Sequence, residues 1–504
     1  MQTIDLIIIF GYLIGITAFG ILYAGKQDTT EDYFVGNRNV PWWAIAMSIV
    51  ATETSTITFV SVPGIAFAKD GNFQFLQLVF GYLLGRVVIS MIFIPLYFRG
   101  ELQTVYQLLG EQFGNRVKML ASGLFVIMRN IADGIRLLLT AIVLAAVYIS
   151  FNPGADQTTV IVGSIVLLGI VMIIFTFYGG IEAVIWVEVV QLVIYIGGAF
   201  AAAVVLVNNI EGGFSGAVAI GEQFSKFDVF DFSLNFTKTY TFWGGLIGGC
   251  FLTMSTHGTD QYMVQRYLCT SNPRSATSAL LTSGLVVLAQ FIGFLFIGVL
   301  LFAFYAPFNS PEYAQAGVAG SGITANFPFF KGDQVFPNFI TQHMPPGLSG
   351  LVVAAIFAAA LSSSLNSIAA TAINDLYKPF KKSISDKQLL KLSGILTVII
   401  GIVQIIFAVI FMQTGESALN LALSVASLIN GPILGVFLIG AFLKSAKEIH
   451  ALVGMAASIA LMLYILLATK IAWPWYALIG SLVTFFAAYI ASLLITKNEK
   501  IQNN

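Results

Sequence analysis

Three runs of oxygen-bearing side chains interrupt otherwise apolar stretches of this sequence. The first reads Ala51-Thr52-Glu53-Thr54-Ser55-Thr56-Ile57-Thr58 and the second Thr253-Met254-Ser255-Thr256-His257-Gly258-Thr259-Asp260-Gln261. The third, Ala358-Ala359-Ala360-Leu361-Ser362-Ser363-Ser364-Leu365-Asn366-Ser367, sets three consecutive hydroxyls beside small residues. Hydroxyls, and carbonyls freed by an unwound helix, are hard oxygens without formal charge. That donor set suits a small hard cation. Sodium is the obvious candidate, and the chemistry alone also admits lithium or a proton. The plainer reading of each run is close helix packing with Ser and Thr hydrogen bonds between neighbours. Two Cys and three His leave no disulfide framework and no Cys/His metal cluster.

The elements that hold these runs follow from composition. Of 504 residues, 58% are hydrophobic and only 10% charged, with a mean hydropathy of +0.88. A soluble chain carries about 25% charged residues, so this one cannot present a charged surface all round and is an all-α polytopic membrane protein. Net charge is +0, which removes the electrostatic footprint of a nucleic-acid partner. A spanning helix needs about 20 apolar residues. By that measure about thirteen spans follow, near 4–24, 41–68, 73–98, 119–150, 158–178, 184–207, 241–268, 277–306, 347–377, 388–413, 418–443, 448–469 and 472–496. The runs are too long and too uniformly apolar for the alternating strands of an outer-membrane barrel. With the N-terminus outside and the C-terminus inside, sixteen loop Lys and Arg fall inside and five outside, as the positive-inside rule requires. Asp5 before the first span and Lys26 after it are the reverse of signal-peptide flanks, so that span reads as retained.

The first two polar runs begin five spans apart. Interrupted helices at matching places in two halves point to an inverted-repeat transporter with a site near the midplane. Arg129, Asp133 and Arg136 share one face of the fourth span. They read either as an internally neutralised cluster or as the binding place of an anion. Arg86 is expected to snorkel to the inner interface. His257 is expected to be a packed, hydrogen-bonded side chain, with a proton relay as the alternative.

In these residues the chain resembles the sodium/solute symporters, the family of sodium-coupled glucose, proline, iodide and sialic acid carriers. The resemblance covers nearly the whole chain. It rests on Asp32-Tyr33-Phe34 with Gly36 and Pro41-Trp42-Trp43, and on Ser55-Thr56-Ile57-Thr58-Phe59. Further on it rests on Gly179-Gly180-Ile181-Glu182-Ala183-Val184-Ile185-Trp186, and on Thr259-Asp260-Gln261 with Val264-Gln265-Arg266. It ends on Leu365-Asn366-Ser367 and Asn374-Asp375-Leu376-Tyr377. Each motif is weak singly; five in order at family-like spacing are specific.

The resemblance implies a LeuT-type fold with inverted five-helix repeats. A leading helix and loop would occupy 4–40, the first repeat 41–207, the second 241–443, and two C-terminal helices 448–496. It implies a sodium site made by the carbonyls of Ala51, Thr54 and Ala359 with the hydroxyls of Ser362 and Ser363. It implies a substrate cavity at Ser55, Thr58, Gln77, Thr253 and Thr256. An arginine of the fourth span binds the anionic substrate in the sialic acid carriers, and spacing leaves open whether Arg129 or Arg136 corresponds.

Three departures stand out. Trp186-Val187-Glu188 replaces the family's Trp-Thr-Asp. The ninth-span hydroxyl run is about three residues short, so the serines fall on the sodium positions only when aligned forward from Gly350. Leu288 sits near the place of the lysine found in sugar carriers, so a hexose is not secured. Glu188 has three readings. It reaches the Ser362–Ser364 cluster and helps hold a second sodium; or burial keeps it protonated; or it faces water near the inner interface.

The expected function is sodium-driven import of a small polar solute (a sugar, polyol or sialic-acid-like molecule) across the plasma or inner membrane by alternating access. Sodium is then a transported ion and the partners are the solute and the bilayer, with no obligate protein partner in view. One charge crossing 100 mV supplies about 2.3 kcal/mol and a tenfold gradient about 1.4 kcal/mol. One ion therefore supports roughly 500-fold accumulation and two roughly 10⁵-fold. The alternative is a proton- or sodium-coupled carrier of a carboxylate or amino acid. A channel is a weaker rival, since no repeated filter sequence is present. No His-Glu-x-x-His or Gly-x-Ser-x-Gly motif supports an enzyme.

Overall fold

The computed structural model describes residues 1–23, 34–68, 70–100, 102–152, 154–305, 332, 335–361, 364–381, 385–412 and 418–502. Lys26, Asp32, Tyr33, Ser362 and Ser363, singled out above, lie outside the described residues. Within them the secondary structure is helical throughout, and ten helices are long and apolar enough to cross a membrane, eleven with one bent pair counted as a span. Of two further expected spans, 241–268 is divided into shorter helices around Thr259 and Asp260, and 347–377 includes residues outside the described ones.

In chain order the elements that matter are α1 (Thr3–Tyr23), α2 (Trp42–Glu53), α3 (Thr56–Phe67), α4 (Leu76–Ile92), α5 (Ile94–Tyr97), α6 (Tyr106–Phe113), α7 (Asn115–Phe151) and α8 (Gln157–Asn209). Then follow α9 (Gly249–Gly258), α10 (Gln261–Leu268), α11 (Pro273–Tyr305), α12 (Leu348–Leu361), α13 (Leu365–Thr371), α14 (Asp386–Phe411), α15 (Ala418–Phe442), α16 (Glu448–Ala468) and α17 (Tyr476–Gln502). The 53-residue α8 supplies two spans, Gln157–Ile174 and Ile181–Asn209.

The break between α2 and α3 is written in its threonines. A Ser or Thr hydroxyl can replace the backbone partner that a carbonyl loses when a helix stops. Thr54 Oγ donates to the Val50 carbonyl at 2.7 Å and Thr58 Oγ to the Glu53 carbonyl at 2.6 Å. Ser55 takes extended backbone angles, and the two half-helices meet at 55°. Non-helical backbone at this depth is tolerated because it is buried in protein or lines a cavity. The seventh expected span breaks the same way. A π turn at Gly244–Gly248 leads into α9, and Asp260 caps α10 through the Tyr262 N–H at 2.9 Å.

Close approach puts these breaks against their neighbours. A side chain on Gly85 would strike Thr253 Cβ at 2.8 Å, so only glycine lets α4 lie on α9. At the opposite end of the bundle from the basic loops, buried Lys226 caps α3. Its ammonium donates to the carbonyls of Ala66 (3.2 Å) and Ala68 (2.5 Å) and sits 4.1 Å from the Phe302 ring centre. Cations suit a helix C-terminus. Asp5 works at the other kind of helix end. It is fully buried and accepts from Gly347 N (2.7 Å), Gly350 N (3.0 Å) and Ser349 Oγ (2.8 Å), tying α1 to the start of α12.

Candidate functional site

The two breaks open onto one cavity of about 170 Å³. Ser55 and Thr58 face it from the α2–α3 break, and Thr253, Thr256, His257 and Asp260 from α9 and its end. Arg129 and Arg136 of α7 enter from the side, and Phe75, Tyr82 and Phe291 supply apolar walls. Four of the five residues expected at the substrate cavity therefore stand together.

Gln77 does not join them. Its side chain is fully buried, donates to the Gln74 carbonyl at 3.1 Å and accepts from the Asp231 N–H at 2.8 Å. The cause is helical geometry: Gln77 lies in the first turn of α4, and its carboxamide turns to the loop before the seventh span, while Phe75 takes the cavity face.

Every charge near the cavity has an opposite charge. Buried ions at membrane depth require this, since an isolated one costs at least about 2.5–3.5 kcal/mol. Glu53 is ion-paired with Arg86, and His257 Nε2 stands 3.4 Å from the same carboxylate. Arg86 is fully buried and does not snorkel; Glu53 holds it inside. His257 Nδ1 is 2.9 Å from Thr256 Oγ, so this imidazole is packed and hydrogen-bonded. Arg129 is ion-paired with Asp260 on another helix and is not neutralised by Asp133. Asp133 accepts from the Ser364 hydroxyl, from Ser364 N at 3.2 Å and from Gln404 at 3.4 Å.

Arg136 is held more loosely. Its nearest acid is Asp133 at 3.6 Å, its Nη1 is 3.3 Å from the Tyr262 hydroxyl, and its Nε has no hydrogen bond among the described residues. Tyr262 gathers three guanidinium groups around its ring, with Arg266 at 4.4 Å, Arg129 at 4.7 Å and Arg136 at 5.7 Å from the centre. Such contacts are favourable through the ring quadrupole. Tyr262 escaped the sequence reading; its only signal was its place one helical turn before Arg266.

Of the residues expected around sodium, Ala51 and Thr54 end α2, both buried, and the Thr54 hydroxyl is 2.6 Å from the Gln290 carboxamide oxygen. Ala359 falls near the end of α12, while Ser362 and Ser363 lie outside the described residues. Glu188 does not reach Ser364. Its carboxylate accepts from Arg266 at 2.6 Å, from Thr52 at 3.0 Å and from Ser48, while the Ser364 hydroxyl is taken by Asp133. Nor does Glu188 face water, being fully buried. A guanidinium outcompetes neutral hydroxyls for a carboxylate in a low-dielectric interior.

The family model of the sodium:solute symporter family matches residues 33–458. The chain is 32% identical over 501 residues to the sodium/sialic acid symporter NanT of Aliivibrio fischeri, covering 98% of this chain and 94% of that protein. It is 28% identical to the human sodium-coupled monocarboxylate transporter 1, over 92% of this chain and 73% of that one. Among solved structures it resembles a substrate-bound, outward-open Na⁺-coupled sialic acid symporter, with a TM-score of 0.83 and 29% identity over 98% of each chain. A nucleobase-cation-symport-1 family transporter shares the fold at a TM-score of 0.53 and 13% identity, over 93% of this chain and 96% of that one.

Proposed function

The chain belongs to the sodium:solute symporter family, a multi-pass membrane carrier that couples a small polar solute to sodium, and from that premise we propose that its solute carries a carboxylate and docks it on Arg136. The observation that carries this reading is the looseness of Arg136. Arg129 is held tightly by Asp260, whereas the nearest acid to Arg136 is Asp133 at 3.6 Å, whose firmer bonds go to Ser364. A planar guanidinium with donors to spare matches a carboxylate. Similarity to carriers named for sialic acid and for monocarboxylates supports the same class, since both solutes present that group.

In this reading Ser55, Thr58, Thr253 and Thr256 hydrogen-bond the solute's polar body, and Phe75 and Phe291 pack its apolar face. Sodium sits at the end of α2, on the carbonyls of Ala51 and Thr54 and of Ala359 with the hydroxyls of Ser362 and Ser363. The two repeats, 41–207 and 241–443, close over the solute in turn, with the basic loop ends facing inward. Direct binding tests the reading. In sodium, sialic acid or a short monocarboxylate should raise the melting temperature of the purified carrier, and the methyl ester of the same acid should not. Losing one charge-assisted contact weakens binding roughly 10- to 150-fold, so Arg136→Gln should erase the shift. Equal stabilisation by acid and ester, or an unchanged response in Arg136→Gln, would overturn the proposal.

A further inference from the structure

We propose that a second pocket, at the end of the bundle that carries the basic loops, binds the headgroup of an anionic phospholipid. The pocket has a volume of about 460 Å³ and lies among the end of the third expected span, α6 and the end of α15. Arg99 follows α5 and Lys444 follows α15, so both cations stand where spans leave the hydrocarbon. Both are exposed, the side chain of neither makes a hydrogen bond or ion pair with a described residue, and no acid among the described residues lines the pocket. Gln112 adds a carboxamide, admitted because Gly440 has no side chain to exclude its tip.

The remaining walls identify the ligand as a lipid. Ile92, Leu96 and Phe442 are apolar, and they continue into the surface that faces the bilayer, where Met91 is 74% and Phe442 61% exposed. A free phosphate would use the two cations and leave the apolar walls idle; a lipid uses both. Other cations gather at the same end. Arg38 donates to the Leu102 carbonyl at 2.8 Å, and Arg116 is exposed in the first turn of α7, where its backbone N–H donates to Glu448 at 3.1 Å. Basic pockets between spans are recognised by acidic lipid headgroups, and each basic side chain near such a surface adds to the attraction. This inference is independent of the cavity at the broken helices.

Titration of detergent-purified protein tests it, with phosphatidylglycerol, phosphatidylcholine and inorganic phosphate as separate probes. Phosphatidylglycerol should raise the melting temperature and remain attached in native mass spectra, and the other two probes should do neither. The double variant Arg99→Gln/Lys444→Gln should need roughly thirty-fold more phosphatidylglycerol for the same effect, as expected when two basic side chains leave an anionic surface. Arg99→Lys, which keeps the charge, should bind as the wild type does, and so should Lys470→Gln at the far end of the bundle. Stabilisation by phosphate alone would make this a free-anion site and overturn the lipid assignment. So would equal effects of the two lipids, or equal phosphatidylglycerol binding by the double variant and the wild type.

Discussion

Glu188 accepts a 2.6 Å hydrogen bond from Arg266, and both side chains are shut away from solvent completely. The pair joins α8 to α10, and Ser48 and Thr52 of α2 bond to the same carboxylate. The acid of Trp186-Val187-Glu188 thus clamps three elements of the bundle. Removing one member of a buried pair strands the other and costs about 3–5 kcal/mol. Glu188→Gln and Arg266→Gln should each be destabilised by roughly that amount, and the double variant should recover most of the loss. Thermal unfolding of the three proteins is the check. Additive losses in the double variant would show that the pair is not the unit that matters.

Gln77 should prove structural. Gln77→Leu leaves the Asp231 N–H and the Gln74 carbonyl without their partner, a loss of about 1–3 kcal/mol in stability. Solute affinity should stay within twofold of wild type. A large rise in KM with an unchanged melting temperature would return Gln77 to the binding cavity.

Much of the site was legible in the sequence because its signals are local. Thr54 and Thr58 carry hydroxyls one turn from the carbonyls they satisfy, so the break between α2 and α3 shows as a polar run in an apolar stretch. Asp260, at the second break, is visible for the same reason. Ion-pair partners were not legible. Arg86 finds Glu53 at 33 residues' distance, and Glu188 finds Arg266 at 78. Only packing chooses among several buried acids and bases of equal chemistry. Gln77 was harder to place: it lies in the first turn of α4 with its carboxamide on the Asp231 N–H, and Phe75, two residues earlier, faces the cavity.

The hydroxyl run of the ninth span sets a further expectation. Neutral oxygens must replace the ion's hydration shell, so Ser362→Ala and Ser363→Ala should each weaken apparent sodium affinity without changing the type of solute carried. Sodium titration of solute binding reads this directly. Wild-type sodium dependence in both variants would place the ion elsewhere.

Lys226 should give the carrier a pH signature of its own. Burial lowers its pKa to about 8, against the opposing pull of Asp70. The unfolded side chain keeps a value near 10.4. Between about pH 8 and 10 the unfolded chain therefore binds more protons, and this residue's contribution to stability rises with pH. The melting temperature of wild type relative to Lys226→Met should climb across that window and stay flat below about pH 7. A relative fall on going alkaline would contradict the assignment.

Uptake into proteoliposomes under an inward sodium gradient tests the central claim most directly, with a labelled carboxylate solute, its neutral ester and the Arg136→Gln variant compared side by side. The expected result is accumulation of the acid above its external concentration. That accumulation should collapse when sodium is equalised, be absent for the ester, and fall at least about tenfold in Arg136→Gln, the loss set by one charge-assisted contact. Accumulation of the neutral ester as strongly as the acid, or uptake of the acid indifferent to sodium, would contradict it.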